Sequence, residues 1–173
     1  LESPLLQANN TSVAINRDIF SVAFILIVVL GAGNYKFYSM QKKKTVIAFA
    51  SFFMASAVCL GAMGAHALKE VLSFEQLQSF QTGVRYQLIH GLALLITPLL
   101  EVRFKLRSIR WVNLLMVLGT LCFSFSIYLL STMSITGWEA LRYLGPITPV
   151  GGLLLIASWT LLFLSTMRSQ SVH

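Results

Sequence analysis

The chain has 173 residues, 56% hydrophobic and 11% charged, with a formal net charge of +7. A soluble domain carries about 25% charged residues, and here the charges cluster between long uncharged runs, which excludes an ordinary water-soluble globule and indicates one compact membrane-embedded unit. The bases do not form a continuous patch for nucleic acid: Lys42, Lys43 and Lys44 precede one apolar run, and Arg103, Lys105, Arg107 and Arg110 separate two others, the placement that sets membrane topology.

In chain order, residues 1–16 show no strong periodicity. The first apolar run, about 19–33, is prolonged by Tyr35, Phe37 and Tyr38, with Arg17 and Lys36 placed to snorkel at its ends. It is read as a membrane anchor over about 19–38 with its N-terminus outside, the alternative being a signal-peptide-like or interfacial segment. Residues 1–39 are taken as an N-terminal extension, and 40–173 as the core. Four spans follow, at about 45–67, 84–100, 111–133 and 149–167, each near the roughly 20 residues that cross about 30 Å of hydrocarbon. Lipid satisfies no backbone polar group, and no alternating barrel pattern occurs, so the spans are helices. The expected fold is an all-α integral membrane four-helix bundle with an extra N-terminal transmembrane helix.

In the first span Ala57, Gly61 and Ala65 recur at every fourth position, a small-residue stripe along which another helix can approach. Gly64 and His66 close that span. The loop after it carries Phe74, Leu77 and Phe80, a pattern for a short amphipathic surface helix with Ser73 as N-cap and Gln76 or Gln78 solvated. In the second span Thr82, Tyr86 and His90 fall at i, i+4 and i+8, and Gln87 joins their face. At 1.5 Å per residue, His90 lies about 9–12 Å from the outer end. An ionisable group at the bilayer centre costs at least about 2.5–3.5 kcal/mol, so this face turns into the bundle. Arg85, shallower, is expected to snorkel or to pair with Glu70 or Glu75.

The candidate polar site is therefore His66, Thr82, Arg85, Tyr86, Gln87 and His90. Its plainest reading is hydrogen bonding that fixes the packing, and a functional pocket is the alternative. Haem or metal ligation by His66 and His90 is disfavoured by their different depths and the lack of a third ligand. No metal and no cofactor is expected. Cys59 and Cys122 lie in apolar runs without a Cys-x-x-Cys pair, which reads as buried free thiols.

The run from Gly145 to Gly152 makes a tight re-entry turn. Gly145, Pro146, Gly151 and Gly152 serve the turn or close packing, as Gly83 does in the second span. Thr148 is expected as N-cap and Pro149 at the first helical position; an anion site at that helix N-terminus is the alternative. Trp111, Trp138 and Tyr143 fall near the membrane interfaces. The Lys/Arg-rich loops place both core termini in the cytoplasm and the motif cluster outside, in what is expected to be a bacterial plasma (inner) membrane. No nucleophile elbow, phosphate loop or zincin motif is present, nor an acidic pair within a span.

Taken in order, Gly61, Gly64, Ala65 and His66, then Thr82, Gly83, Tyr86, Gln87 and His90, then Phe123 to Leu130 with Thr148, Pro149, Gly151, Gly152 and Trp159, resemble the domain-of-unknown-function family numbered 423, which includes bacterial inner-membrane proteins and animal transmembrane protein 256. The resemblance covers about 40–167. It departs at Ser124-Phe-Ser-Ile-Tyr128, where Phe125 replaces a small residue. The resemblance implies a four-helix membrane protein and names no substrate.

The leading functional expectation is a non-catalytic accessory or scaffold subunit that packs with another membrane protein or with itself. The alternatives are a small-solute or ion carrier using Tyr86, Gln87 and His90, and a haem-, quinone- or lipid-handling membrane enzyme. The expected partners are the lipid bilayer and a membrane protein or second copy, with no nucleic acid.

Overall fold

A computed structural model describes residues 44–104, 106 and 108–168. The extension 1–39 and the anchor expected over 19–38 lie outside them. Four helical stretches among the described residues are long and apolar enough to cross a membrane. We label the helices α1 (Lys44–Ala65), α2 (Phe74–Phe104), α3 (Ile109–Ser131) and α4 (Ile147–Met167). No strand occurs among the described residues. α1 packs along α2 and α4 along α3, and α2 meets α3 to join the pairs.

The α1 seam is Ala50, Phe53, Ala57 and Gly64, a spacing of three, four and seven. The expected stripe of every fourth residue is corrected at its end. Ala57 is fully buried and Gly61 faces Val84, but Ala65 is exposed and Gly64 takes its place against Phe80. The reason is rotation: at 3.6 residues per turn, eight residues drift about 80° around the helix and seven only about 20°. Cys59 is likewise exposed rather than buried, though both cysteines are free.

α2 has 31 residues, so the surface helix and the second span are one helix rather than two. Nothing in Gln81-Thr82-Gly83 stops it, and Thr82 Oγ1 donates to its own helix at Gln78 O (3.0 Å). Ser73 caps it as expected. Its Oγ accepts from the Gln76 N–H (3.3 Å) while its own N–H donates to Gln76 Oε1 (3.0 Å), a reciprocal capping box. Gln76 Nε2 also donates to Ser134 Oγ (3.0 Å), tying this helix start to the short turn Met133–Thr136 after α3. Pro98 sits inside α2 and leaves Leu94 O without its i+4 donor. The Thr97 hydroxyl takes that place at 3.0 Å, so the helix continues in a solvent that offers no substitute.

α3 widens into a π turn at Leu121–Phe125. Gly151 of α4 lies against it so closely that a Cβ there would stand 2.4 Å from Phe123 N. On the other side of the crossing a Cβ at Gly119 would meet Leu155 at 2.8 Å. Ser158 Oγ locks the pair by donating to Val112 O (2.8 Å). The substituted Phe125 is 60% exposed, so its bulk points away from this contact. α4 starts two residues earlier than expected. Pro146 is its N-cap and Thr148 lies in the first turn, where its hydroxyl meets Ser126 Oγ (2.7 Å). Ser126 donates to Phe123 O, so Thr148 is the donor of that pair and clips α4 to α3 instead of capping itself. Pro149 is exposed within the same turn, two steps past the first helical position.

Candidate functional site

Two apolar clusters fill the interior, and a polar layer separates them. Phe80 and Val84 of α2 join Ala57 and Tyr128 in one cluster, and Leu94 joins Ala50, Phe53, Val112, Met116 and Leu155 in the other. Between them along α2 lie Gln87 and His90, 6% and 4% exposed.

Gln87 links three helices. Its Nε2 donates to Phe53 O (3.0 Å) and Ser56 Oγ (2.7 Å) of α1, and its Oε1 accepts from the Tyr128 hydroxyl of α3 (2.8 Å). Ser56 Oγ in turn donates a hydrogen bond to Phe52 O (2.6 Å). Gly83 makes the Tyr128 bond possible, because a Cβ there would stand 2.7 Å from the Tyr128 ring. With no side chain in the way, the ring lies on α2, packs on Phe80 (centroids 4.9 Å apart) and presents its hydroxyl one turn further along.

His90 is satisfied at both nitrogens. Nδ1 faces Tyr86 O at 2.7 Å, and Nε2 receives the Trp159 indole N–H at 3.1 Å. A carbonyl only accepts and an indole only donates, so the geometry assigns a neutral imidazole with its proton on Nδ1. Tyr86 stacks over His90 (5.8 Å) and packs on Phe123 (4.4 Å), and as a residue it is still 38% exposed.

The face Thr82–Tyr86–His90 thus turns inward only at its deep end. Gln87 and His90 are brought together with partners on α1, α3 and α4. Thr82 bonds within its own helix. Arg85 is exposed, and Glu75 accepts instead from Ser73 Oγ (3.0 Å). His66 is exposed at the end of α1 and is not among the partners of Gln87 or His90. No group of three or more His, Cys, Asp or Glu gathers among the described residues. Sequence reasoning missed Ser56, which carries a signal in retrospect: it lies three residues past Phe53 on the seam face. Tyr128 and Trp159 entered only by resemblance, although a buried tyrosine or tryptophan needs a partner for its polar tip. Two buried oxygens, Ser124 Oγ and Asn113 Oδ1, have no hydrogen-bond partner.

Four apolar spans closed around a hydrogen-bonded polar layer define a helical integral membrane protein. The family described as "Protein of unknown function (DUF423)" matches residues 60–152, and the chain belongs to it. It is similar to the UPF0382 membrane protein of Staphylococcus haemolyticus, 37% identical over 68% of this chain and 95% of the relative. The UPF0382 membrane protein YwdK of Bacillus subtilis is 35% identical over 65% of this chain and 87% of its own length. The UPF0382 inner membrane protein YgdD of Escherichia coli is 33% identical, over 64% and 80%. No solved structure matches the chain.

Proposed function

We propose that the protein is a non-catalytic packing subunit of a bacterial plasma membrane that associates with a second copy or with another membrane protein. The observation that carries this reading is the closure of the polar layer. Every polar atom of Gln87 and His90 that could greet a solute is already bonded within the bundle. A carrier site needs polar groups left open to its cargo, and this layer offers none. The chemistry left over is on the outer surface. Opposite its seam, α1 exposes Ser51, Ala55, Cys59 and Ala62, small side chains of the kind along which membrane helices approach.

The plasma membrane follows the name of the Escherichia coli relative. The sidedness follows the bases: among the described residues Lys44, Arg103, Arg110 and Arg168 share one end of the spans, which faces the cytoplasm, and the Ser73–Gln76–Ser134 end faces outward.

Cys59 supplies the test. Oxidative cross-linking in native membranes is expected to yield a disulfide-linked dimer that disappears in Cys59→Ser, or mild-detergent purification a stoichiometric partner. A solitary monomer in lipid nanodiscs, with no cross-link and no partner, overturns the reading. Solute flux in reconstituted vesicles that is lost in His90→Ala transfers the assignment to a carrier.

A further inference from the structure

A lateral groove of about 770 Å³ lies between α1 and α3 at the basic end of the bundle. Its walls are apolar: Phe49 of α1 faces Leu114, Leu118 and Leu121 of α3. Its mouth is polar. Arg110 and Thr45 lie there, the exposed Lys44 begins α1 beside Thr45, and Trp111 on the rim is 62% exposed. Glu101, the acidic residue on the lining, already has an interaction partner. One turn below Arg110, Asn113 also lines the groove and leaves Oδ1 buried and unpaired.

We infer that this groove is a binding site for one anionic phospholipid, with its phosphate at Arg110 and Lys44 and an acyl chain along Phe49, Leu114, Leu118 and Leu121. Two features select that occupant. The first is length: Arg110 to Leu121 spans about 16 Å of helix at 1.5 Å per residue, roughly half of a 30 Å hydrocarbon core, the depth of one leaflet. The second is charge. The bases around the mouth are those of a juxtamembrane cluster that attracts anionic headgroups, and the aromatic at its rim is where interfacial tryptophans sit. The inference rests on the groove alone and is independent of the packing role proposed from Gln87 and His90.

The test is native mass spectrometry of the full chain reconstituted in vesicles of equal phosphatidylglycerol and phosphatidylcholine and released in mild detergent. One phosphatidylglycerol is expected to remain bound in preference to phosphatidylcholine. Arg110→Gln should lower that retention about fivefold, the worth of about 1 kcal/mol for one basic residue beside an anionic surface. Leu118→Trp should lower it by filling the trough with no change of charge, and Leu114→Phe serves the same purpose if the tryptophan variant fails to fold. Arg142→Gln, at the opposite end of the bundle, should leave it unchanged. Equal retention of the two lipids, retention unaffected by both groove variants, or a lipid-free dimer closed over the groove overturns the assignment.

Discussion

The two helix pairs are joined internally by different means. Between α1, α2 and α3, contact is made by side chains reaching across: Gln87 bonds to Phe53 O, Ser56 and Tyr128. Between α3 and α4, backbone meets backbone where Gly151 is seated on the π turn, and the Ser158 and Thr148 hydroxyls add hydrogen bonds on either side of that contact. Lipid tails are as apolar as leucine, so hydrophobicity alone does not hold two membrane helices together. Packing and hydrogen bonds must do so; both halves of this molecule use both, but only α3 and α4 bring main chain against main chain. The difference teaches that tolerance to substitution is uneven: a polar contact loses strength in steps, whereas a backbone contact has no room to give.

Four substitutions sharpen that contrast, read by unfolding in mixed micelles of dodecylmaltoside and dodecyl sulfate with far-UV circular dichroism. Gly151→Ala is expected to have the largest effect, a loss of about 3 kcal/mol or failure to assemble, because the new methyl meets main chain and not a movable side chain. A stability loss under about 1 kcal/mol there would show that α4 shifts freely on α3. Gln87→Leu should cost about 2 kcal/mol, taking interhelical bonds at about 0.6 kcal/mol each for the three it makes. A double-mutant cycle with Tyr128→Phe should recover part of that loss, and strict additivity would deny the Gln87–Tyr128 bond. Thr97→Val keeps the shape but frees Leu94 O beside Pro98, for an expected loss of about 1 kcal/mol; an unchanged transition would mean that another donor serves that carbonyl. Ser124→Ala should leave stability unchanged or raise it by up to about 1 kcal/mol, because Oγ is buried without a partner. A clear destabilisation would reveal a bond that Ser124 makes to water or a ligand.

Much of the architecture could be read from residue order, and the places where reading failed have a common cause. The four spans were legible because a bilayer imposes one length on any crossing, and Ser73 was legible as a cap because its partner is three residues away. The separate surface helix was wrong because neither Thr82 nor Gly83 breaks a helix that has no other reason to stop. Thr148 was misassigned because a threonine before a proline looks like a cap, whereas its donor role toward Ser126 depends on where α3 lies. For the polar site, the second-span periodicity marked Gln87 and His90 as inward. It did not reveal that Ser56 and Trp159 complete their bonding, nor that Arg85 and His66 stay outside.

By itself the order of residues determined that this protein is helical, that it lives in lipid, that four of its segments cross, and that one helix carries polar groups too costly to face hydrocarbon. Each follows from local terms: transfer free energy, backbone satisfaction and helical period. Only tertiary structure decided which groups meet those polar atoms, which glycines touch a neighbouring backbone, that Phe125 points outward, and that a groove opens between α1 and α3. Those outcomes depend on the relative rotation and depth of helices far apart in the chain, which no local period encodes.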